Sequence, residues 1–222
     1  MKVLVTGSAG GIGSAVAKLF VEKGHSVIGI DVKPFALEGD YRHIVADVTD
    51  SASLPELDAV EILVSCAGVQ NSAGKKDDID VNLKGTVNVV EKYAFNKAIK
   101  SVLIIASASA HTGAEFPLYS ASKGGLLSYT RNVAARLARQ GATCNSISPG
   151  GVRTALNKPV MDNPQLWKKI MDVTPLKKWA EPEEIAQWCY FLTVVNKSCS
   201  GEDILIDNGE THLNSCFVWP ED

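Results

Sequence analysis

Tyr119 and Lys123 stand four residues apart in the stretch Tyr119-Ser120-Ala121-Ser122-Lys123. On a helix that spacing places two side chains one above the other on the same face. A phenol titrates near ~10 and is about 0.1% ionised at neutral pH, whereas a fixed cation beside it favours the phenolate by ~1.4 kcal/mol for each unit of depression. Depressed by two or three units, Tyr119 would be a usable proton-transfer group, with Lys123 as the cation that tunes it. The plain alternative is an ordinary surface pair, so the surrounding chain has to supply the context.

The element that must carry the pair is marked by Leu126, Leu127, Thr130, Val133, Ala134 and Leu137, which continue from it at helical spacing. Elsewhere short apolar runs alternate with helical patterns. Val3 to Val5, Val27 to Ile30, His43 to Ala46, Ile62 to Val64, Val102 to Ile105, Cys144 to Ile147 and Ile204 to Ile206 read as strands. A helix through Ala15, Val16, Leu19, Phe20 and Val21 is ended by Gly24 as a C-cap. The alternation predicts an α/β fold: a single-domain, doubly wound parallel sheet of the Rossmann type, about seven strands with helices on both faces. Ligands of such sheets bind beyond the carboxyl ends of the strands.

The residues after the first strand are Thr6-Gly7-Ser8-Ala9-Gly10-Gly11-Ile12-Gly13. Glycines there permit a tight turn and let backbone N–H groups approach a pyrophosphate at a helix N-terminus. Asp31 ends the second strand, where a carboxylate accepts hydrogen bonds from ribose hydroxyls and repels a 2′-phosphate. That favours NAD over NADP, although Lys33 nearby keeps NADP open.

Composition limits the alternatives. The chain has 222 residues, 45% hydrophobic and 21% charged, which suits one globular domain over residues 1–222. A net charge of -3 without a basic cluster gives no footprint for nucleic acid. Five cysteines without C-x-x-C spacing suggest neither a disulfide framework nor a zinc site, and fit a reducing cytoplasm. The N-terminal apolar run is cut short by Thr6-Gly7, and no stretch approaches ~20 apolar residues, so neither a signal core nor a membrane span is expected.

These motifs together resemble the short-chain dehydrogenase/reductase family in its compact branch. The glycine loop matches T-G-x-x-x-G-x-G, Asp47-Val48 resembles the adenine-contacting pair, and Asn82-Leu83-Lys84-Gly85 matches N-x-x-G. Tyr119 to Lys123 matches Y-x-A-S-K, Pro149 to Thr154 matches P-G-x-V-x-T, and Pro182 to Ala186 followed by Asp207-Asn208-Gly209 resembles the closing segments. The resemblance implies hydride transfer between NAD(H) and a secondary alcohol or ketone, with Asn82, Ser107, Tyr119 and Lys123 as the catalytic set. Ser109 competes with Ser107, which stands one residue closer to the tyrosine than the family pattern has it. Cofactor contacts are implied for Gly7, Ser8, Gly11, Ile12, Gly13, Asp31, Asp47, Val48, Ala67, Gly68, Tyr119, Lys123, Pro149, Gly150, Val152 and Thr154, and no metal. The resemblance also implies a homodimer or homotetramer paired through helices at Asn82 to Phe95 and Ser120 to Arg139.

Some elements depart from the pattern. The usual N-N-A-G is here Ser65-Cys66-Ala67-Gly68, and Asp50 to Glu61 and Val69 to Asp80 are shortened. In the closing D-G-G, Asn208 replaces a glycine and can serve because it tolerates a left-handed backbone. An apolar stripe from Leu156 to Met171, within a segment spanning 155–175, suits either a lid over the substrate or a helix packed on the core. A non-catalytic NAD-binding sensor or scaffold remains an alternative, as does a nucleotide-sugar epimerase.

Overall fold

The computed structural model describes residues 1–70, 78–114 and 116–213. Cys216 and the middle of the shortened Val69 to Asp80 stretch lie outside the described residues.

In chain order the elements are β1 (Lys2–Thr6), α1 (Gly11–Glu22), β2 (Ser26–Asp31), β3 (Tyr41–Val45), β4 (Ile62–Ser65), a π-helix (Asp78–Gly85), α2 (Thr86–Tyr93), β5 (Ser101–Ile105), α3 (Ser109–Thr112) and α4 (Pro117–Leu137). There follow β6 (Thr143–Pro149), α5 (Lys158–Met161), α6 (Pro164–Val173), α7 (Pro182–Tyr190) and β7 (Asp203–Ile206). Short 3-10 or π turns extend α4 and α7. All seven expected strands form, within one or two residues of their expected bounds. They pair in parallel in the order β3-β2-β1-β4-β5-β6-β7, the doubly wound sheet. The order reverses between β1 and β4, which makes their carboxyl ends the crevice where such sheets take ligands.

The central strands β1, β2, β4 and β5 are nearly continuous apolar runs because both faces are covered. In β1, Leu4 packs with Leu63, Val90, Val102, Leu126 and Leu137 on the side of α2 and α4. Its neighbours Val3 and Val5 pack with Val16, Phe20, Ile62, Ile147 and Ile185 on the side of α1 and α7. The predicted C-cap holds: Gly24 adopts φ +78° and its N–H bonds to the Val21 carbonyl. Asn208 likewise stands at φ +58°. Asp50 to Glu61 forms turns without a helix, as expected from its lack of apolar period. The helix expected from Asn82 to Phe95 is instead divided: its first part is the π-helix, and regular α geometry begins only at Thr86.

Phe20 is fully buried, its ring 5.4 Å from Tyr190 and 5.5 Å from His25. Phe20→Ala should therefore lower unfolding free energy by ~3–5 kcal/mol, while Val45→Ala, at a residue 61% exposed, should change it by under ~0.5 kcal/mol. Denaturant titration of both variants checks this contrast.

Candidate active site

The glycine loop folds over the ends of β1 and β4. Gly7 takes φ +67°, and a Cβ there would lie 2.7 Å from the Ala67 nitrogen, so only glycine lets the two loops meet. A Cβ at Gly13 would strike the Gly7 carbonyl, and one at Gly11 would lie 2.5 Å from Thr154 Cγ2. These bare α-carbons form a cradle of backbone, with α1 starting at Gly11 and its first N–H groups lacking partners inside the helix. Such a cradle fits the pyrophosphate of a dinucleotide. Ile12 stands in the first turn, partly buried.

The side chain of Ser8 does not face this cradle. Ser8 is fully buried, and its hydroxyl turns inward to Tyr41 and His43. Asp31 sits at the end of β2 with both oxygens engaged, Oδ2 accepting from Ala9 N at 3.0 Å and Oδ1 from Lys33 N at 2.9 Å. Asp47 accepts from the backbone and hydroxyl of Thr49, both at 2.8 Å. Val48 is buried against Gly85, where an added Cβ would lie 2.6 Å from Val48 Cγ2. Packing thus accounts for the glycine of Asn82-Leu83-Lys84-Gly85. Beyond β6, Gly150 lies against Asp207 and Gly151 under the Trp179 indole, while Val152 is buried and bridges to Ala180. Pro149 ends β6 and its carbonyl accepts from Ala108 N, tying this turn to the segment that carries Ser107.

Asn82 and Lys123 meet beside Gly68. A Cβ on Gly68 would be 3.2 Å from Asn82 Oδ1 and 3.4 Å from Lys123 Nζ. Asn82 is fully buried: its Oδ1 accepts from Val69 N at 2.8 Å, and its Nδ2 donates to the Val69 carbonyl at 2.9 Å and to Ser122 Oγ at 3.1 Å. Ser122 in turn donates to the Tyr119 carbonyl at 2.7 Å. Ser122, unremarked in the sequence beyond its place in the motif, is the link between Asn82 and the first turns of α4. A π-helix carrying Asn82 is consistent with the frequent placement of such turns at functional sites.

Lys123 is 5% exposed and donates to the Ile105 carbonyl at 2.9 Å. Its Nζ lies 5.7 Å from the centre of the Tyr119 ring, so the pair read from spacing does converge. Burial pulls the ammonium down from 10.5 to about 8, against the opposing pull of Cys66 and Asp78. Cys66, where the family pattern has asparagine, packs toward the α1/α7 face, and burial raises its thiol to about 12. It is a neutral thiol at physiological pH. Ser107 is buried just past β5 and its Oγ accepts from Ser109 N at 3.2 Å, whereas Ser109 opens α3 and is only partly buried. Asn82 from the π-helix, Ser107 from the end of β5, and Tyr119 and Lys123 from α4 therefore come from three segments and stand at the carboxyl ends of β4 and β5.

The apolar stripe from Leu156 to Met171 is not core: no residue of α5 or α6 is buried. Trp167 of α6 meets Trp179 edge-on at 5.0 Å, with the Arg153 guanidinium 5.8 Å from the Trp167 ring. The segment stands over the turn after β6 by this aromatic contact.

A dinucleotide cradle at the switch point of a parallel sheet, beside a buried lysine and a tyrosine on one helix face, defines a dinucleotide-dependent oxidoreductase. The family model described as enoyl-(acyl carrier protein) reductase matches residues 7–211. The chain belongs to the short-chain dehydrogenase/reductase family, and is an NAD(P)-dependent oxidoreductase of secondary alcohols and ketones. It is 31% identical to a galactitol 2-dehydrogenase (L-tagatose-forming) of Cereibacter sphaeroides, over 93% of each chain. It is 32% identical to an acetoacetyl-CoA reductase of Paracoccus denitrificans, over 94% of each. Among solved structures, the aldohexose dehydrogenase of Thermoplasma acidophilum matches with a TM-score of 0.85 at 26% identity, covering 99% of this chain and 97% of that one. A 4-hydroxyisoleucine dehydrogenase complexed with NADH also matches with a TM-score of 0.85 at 26% identity, covering 96% and 99%.

The lowered lysine has a consequence for stability. The unfolded chain keeps its proton up to the ordinary value of 10.5 while the folded chain releases it near 8, so the burial penalty is full below pH 8 and is relieved as pH rises to 10.5. Lys123→Met should thus be more stable than the wild type at pH 7 by of order 1–2 kcal/mol, with the difference shrinking toward pH 10. Thermal denaturation across that range measures it.

Proposed function

We propose that the chain binds NAD(H) in preference to NADP(H), with the adenosine end at Asp31, Asp47 and Val48 and the pyrophosphate over Gly7 to Gly13. Ala67, Gly68, Pro149, Gly150, Val152 and Thr154 line the path toward the nicotinamide. When bound, the dinucleotide supplies hydride transfer to or from a substrate carbon. Tyr119 passes the proton to or from the oxygen on that carbon, and Ser107 hydrogen-bonds the same oxygen. Lys123 stabilises the ionised phenol and holds the nicotinamide ribose. Asn82 keeps Lys123 and Tyr119 in register through Ser122 and Val69. The observation that carries the reading is the buried Lys123 ammonium, because a charge so withdrawn from water is retained where it has work on a partner.

The segment 155–175 serves as a lid, supported by the lack of buried residues in α5 and α6 and its attachment through Trp167 to Trp179. The substrate is a small secondary alcohol or ketone, for which polyols, sugars and 3-oxoacyl thioesters form the first screen, as the relatives' names suggest. Pairing of α2 and α4 between copies would give a dimer or tetramer in the cytoplasm.

Asp31 should make NADH bind at least ~10-fold tighter than NADPH, since each 1.4 kcal/mol of repulsion is tenfold. Fluorescence titration decides, and tighter NADPH binding would overturn the preference. Lys123→Ala should lower kcat/KM by at least ~100-fold, about 2.7 kcal/mol, weaken NADH binding and move the pH optimum of alcohol oxidation upward. Tyr119→Phe should abolish turnover yet leave NADH affinity within a few-fold. An unmoved pH profile in Lys123→Ala would remove this pair from the reaction centre.

A further inference from the structure

Two straps tie the glycine loop to the segment that follows β2, and both end on the peptide of Lys33. The first is Asp31, whose carboxylate accepts from Ala9 N at 3.0 Å and from Lys33 N at 2.9 Å. The second runs through β3. Tyr41 and His43 project from the same face of that strand, over Gly29 of β2. There the Tyr41 hydroxyl lies 3.1 Å from Ser8 Oγ and 2.9 Å from His43 Nδ1, and Ser8 Oγ lies 3.5 Å from the same nitrogen. On the far side of the ring, His43 Nε2 is 2.9 Å from the Lys33 carbonyl oxygen. A carbonyl only accepts, so it favours the tautomer with the hydrogen on Nε2, in which Nδ1 presents its one lone pair to the hydroxyl pair, Tyr41 being the nearer.

The space for this strap is made by a missing side chain. A Cβ at Gly29 would fall 2.5 Å from Ser8 Oγ. Phe35 closes the outside, edge-on to Tyr41 at 5.8 Å and to His43 at 6.3 Å. Lys33 is therefore gripped on both sides of its backbone, its N–H by Asp31 and its carbonyl by His43. A carboxylate has about four lone-pair positions, so Asp31 can keep these bonds and still receive ribose hydroxyls. Its orientation depends on Lys33 staying in place. Were the Lys33 peptide released, Asp31 could swing away and the exposed Lys33 ammonium could approach a 2′-phosphate.

We infer that Tyr41 and His43 are specificity-determining residues: they hold Asp31 and Lys33 in the arrangement that accepts a ribose 2′-hydroxyl and rejects a 2′-phosphate. This rests on the NAD(H) reading given above.

The test is equilibrium binding of NADH and of NADPH to the full chain and to Tyr41→Phe, His43→Leu and His43→Gln, with thermal denaturation in the absence of cofactor. Loss of one positioning bond should raise the NADH Kd by about tenfold in Tyr41→Phe and His43→Leu while the NADPH Kd moves less than about threefold, so that the preference for NADH narrows. His43→Gln keeps an N–H for the Lys33 carbonyl and should recover part of the preference. Tyr41→Phe retains the ring and its packing, so it carries the test even if His43→Leu fails to fold. Proportional weakening of both cofactors, or no change in either, would overturn the inference, because a merely structural brace does not discriminate between them. A wild-type chain that binds neither dinucleotide would overturn the NAD(H) reading itself.

Discussion

The site depends on keeping one ammonium in a place that resists it. Lys123 is nearly sealed from water at the carboxyl ends of β4 and β5, and its titration falls to about 8 because burial outweighs the acids around it. An amine so placed is stabilised by fixed dipoles and neighbouring charge, and the Ile105 carbonyl at 2.9 Å supplies one such dipole. The approach of Asn82 and Lys123 to Gly68 follows from the same crowding, since any side chain at Gly68 would press on both. Converting Cys66 to a charged group would change that balance, but its thiol is held neutral.

Topology supplies the rest. The order reversal between β1 and β4 opens the crevice, and the glycines close it to side chains so that backbone can face a ligand. Tyr119 and Lys123 reach the crevice from α4, Asn82 from the π-helix and Ser107 from the end of β5, and hydrogen bonds through Ser122 and Val69 join the second to the first. At the other end of the crevice, Asp31, Tyr41 and His43 fix the two loops that would meet the adenosine.

Much of this was legible in the sequence because it rests on local rules. Short runs rich in β-branched residues marked most of the strands, and a four-residue spacing brought Tyr119 to Lys123. What was not legible depends on register or on a choice between similar helices. A π-turn has no composition that separates it from an α-helix, so the helix at Asn82 was expected with α geometry. The inward turn of Ser8 depends on Tyr41 and His43 standing over Gly29, which only the pairing of β2 with β3 reveals, although the alternation Tyr41-Arg42-His43 was a signal that two side chains share a face. The stripe along α6 was ambiguous because lid and core helices share one apolar period, and exposure alone separates them.

The protonation of Lys123 is the pivot of this site. Labelling the lysine ε-carbons with 13C and following their shifts from pH 6 to 12 should reveal one resonance that titrates near 8, absent from Lys123→Ala. Saturating NADH should move that midpoint while leaving the surface lysines in their ordinary range. If every lysine titrates above about 10, with and without the dinucleotide, the buried ammonium is not the pivot of this site.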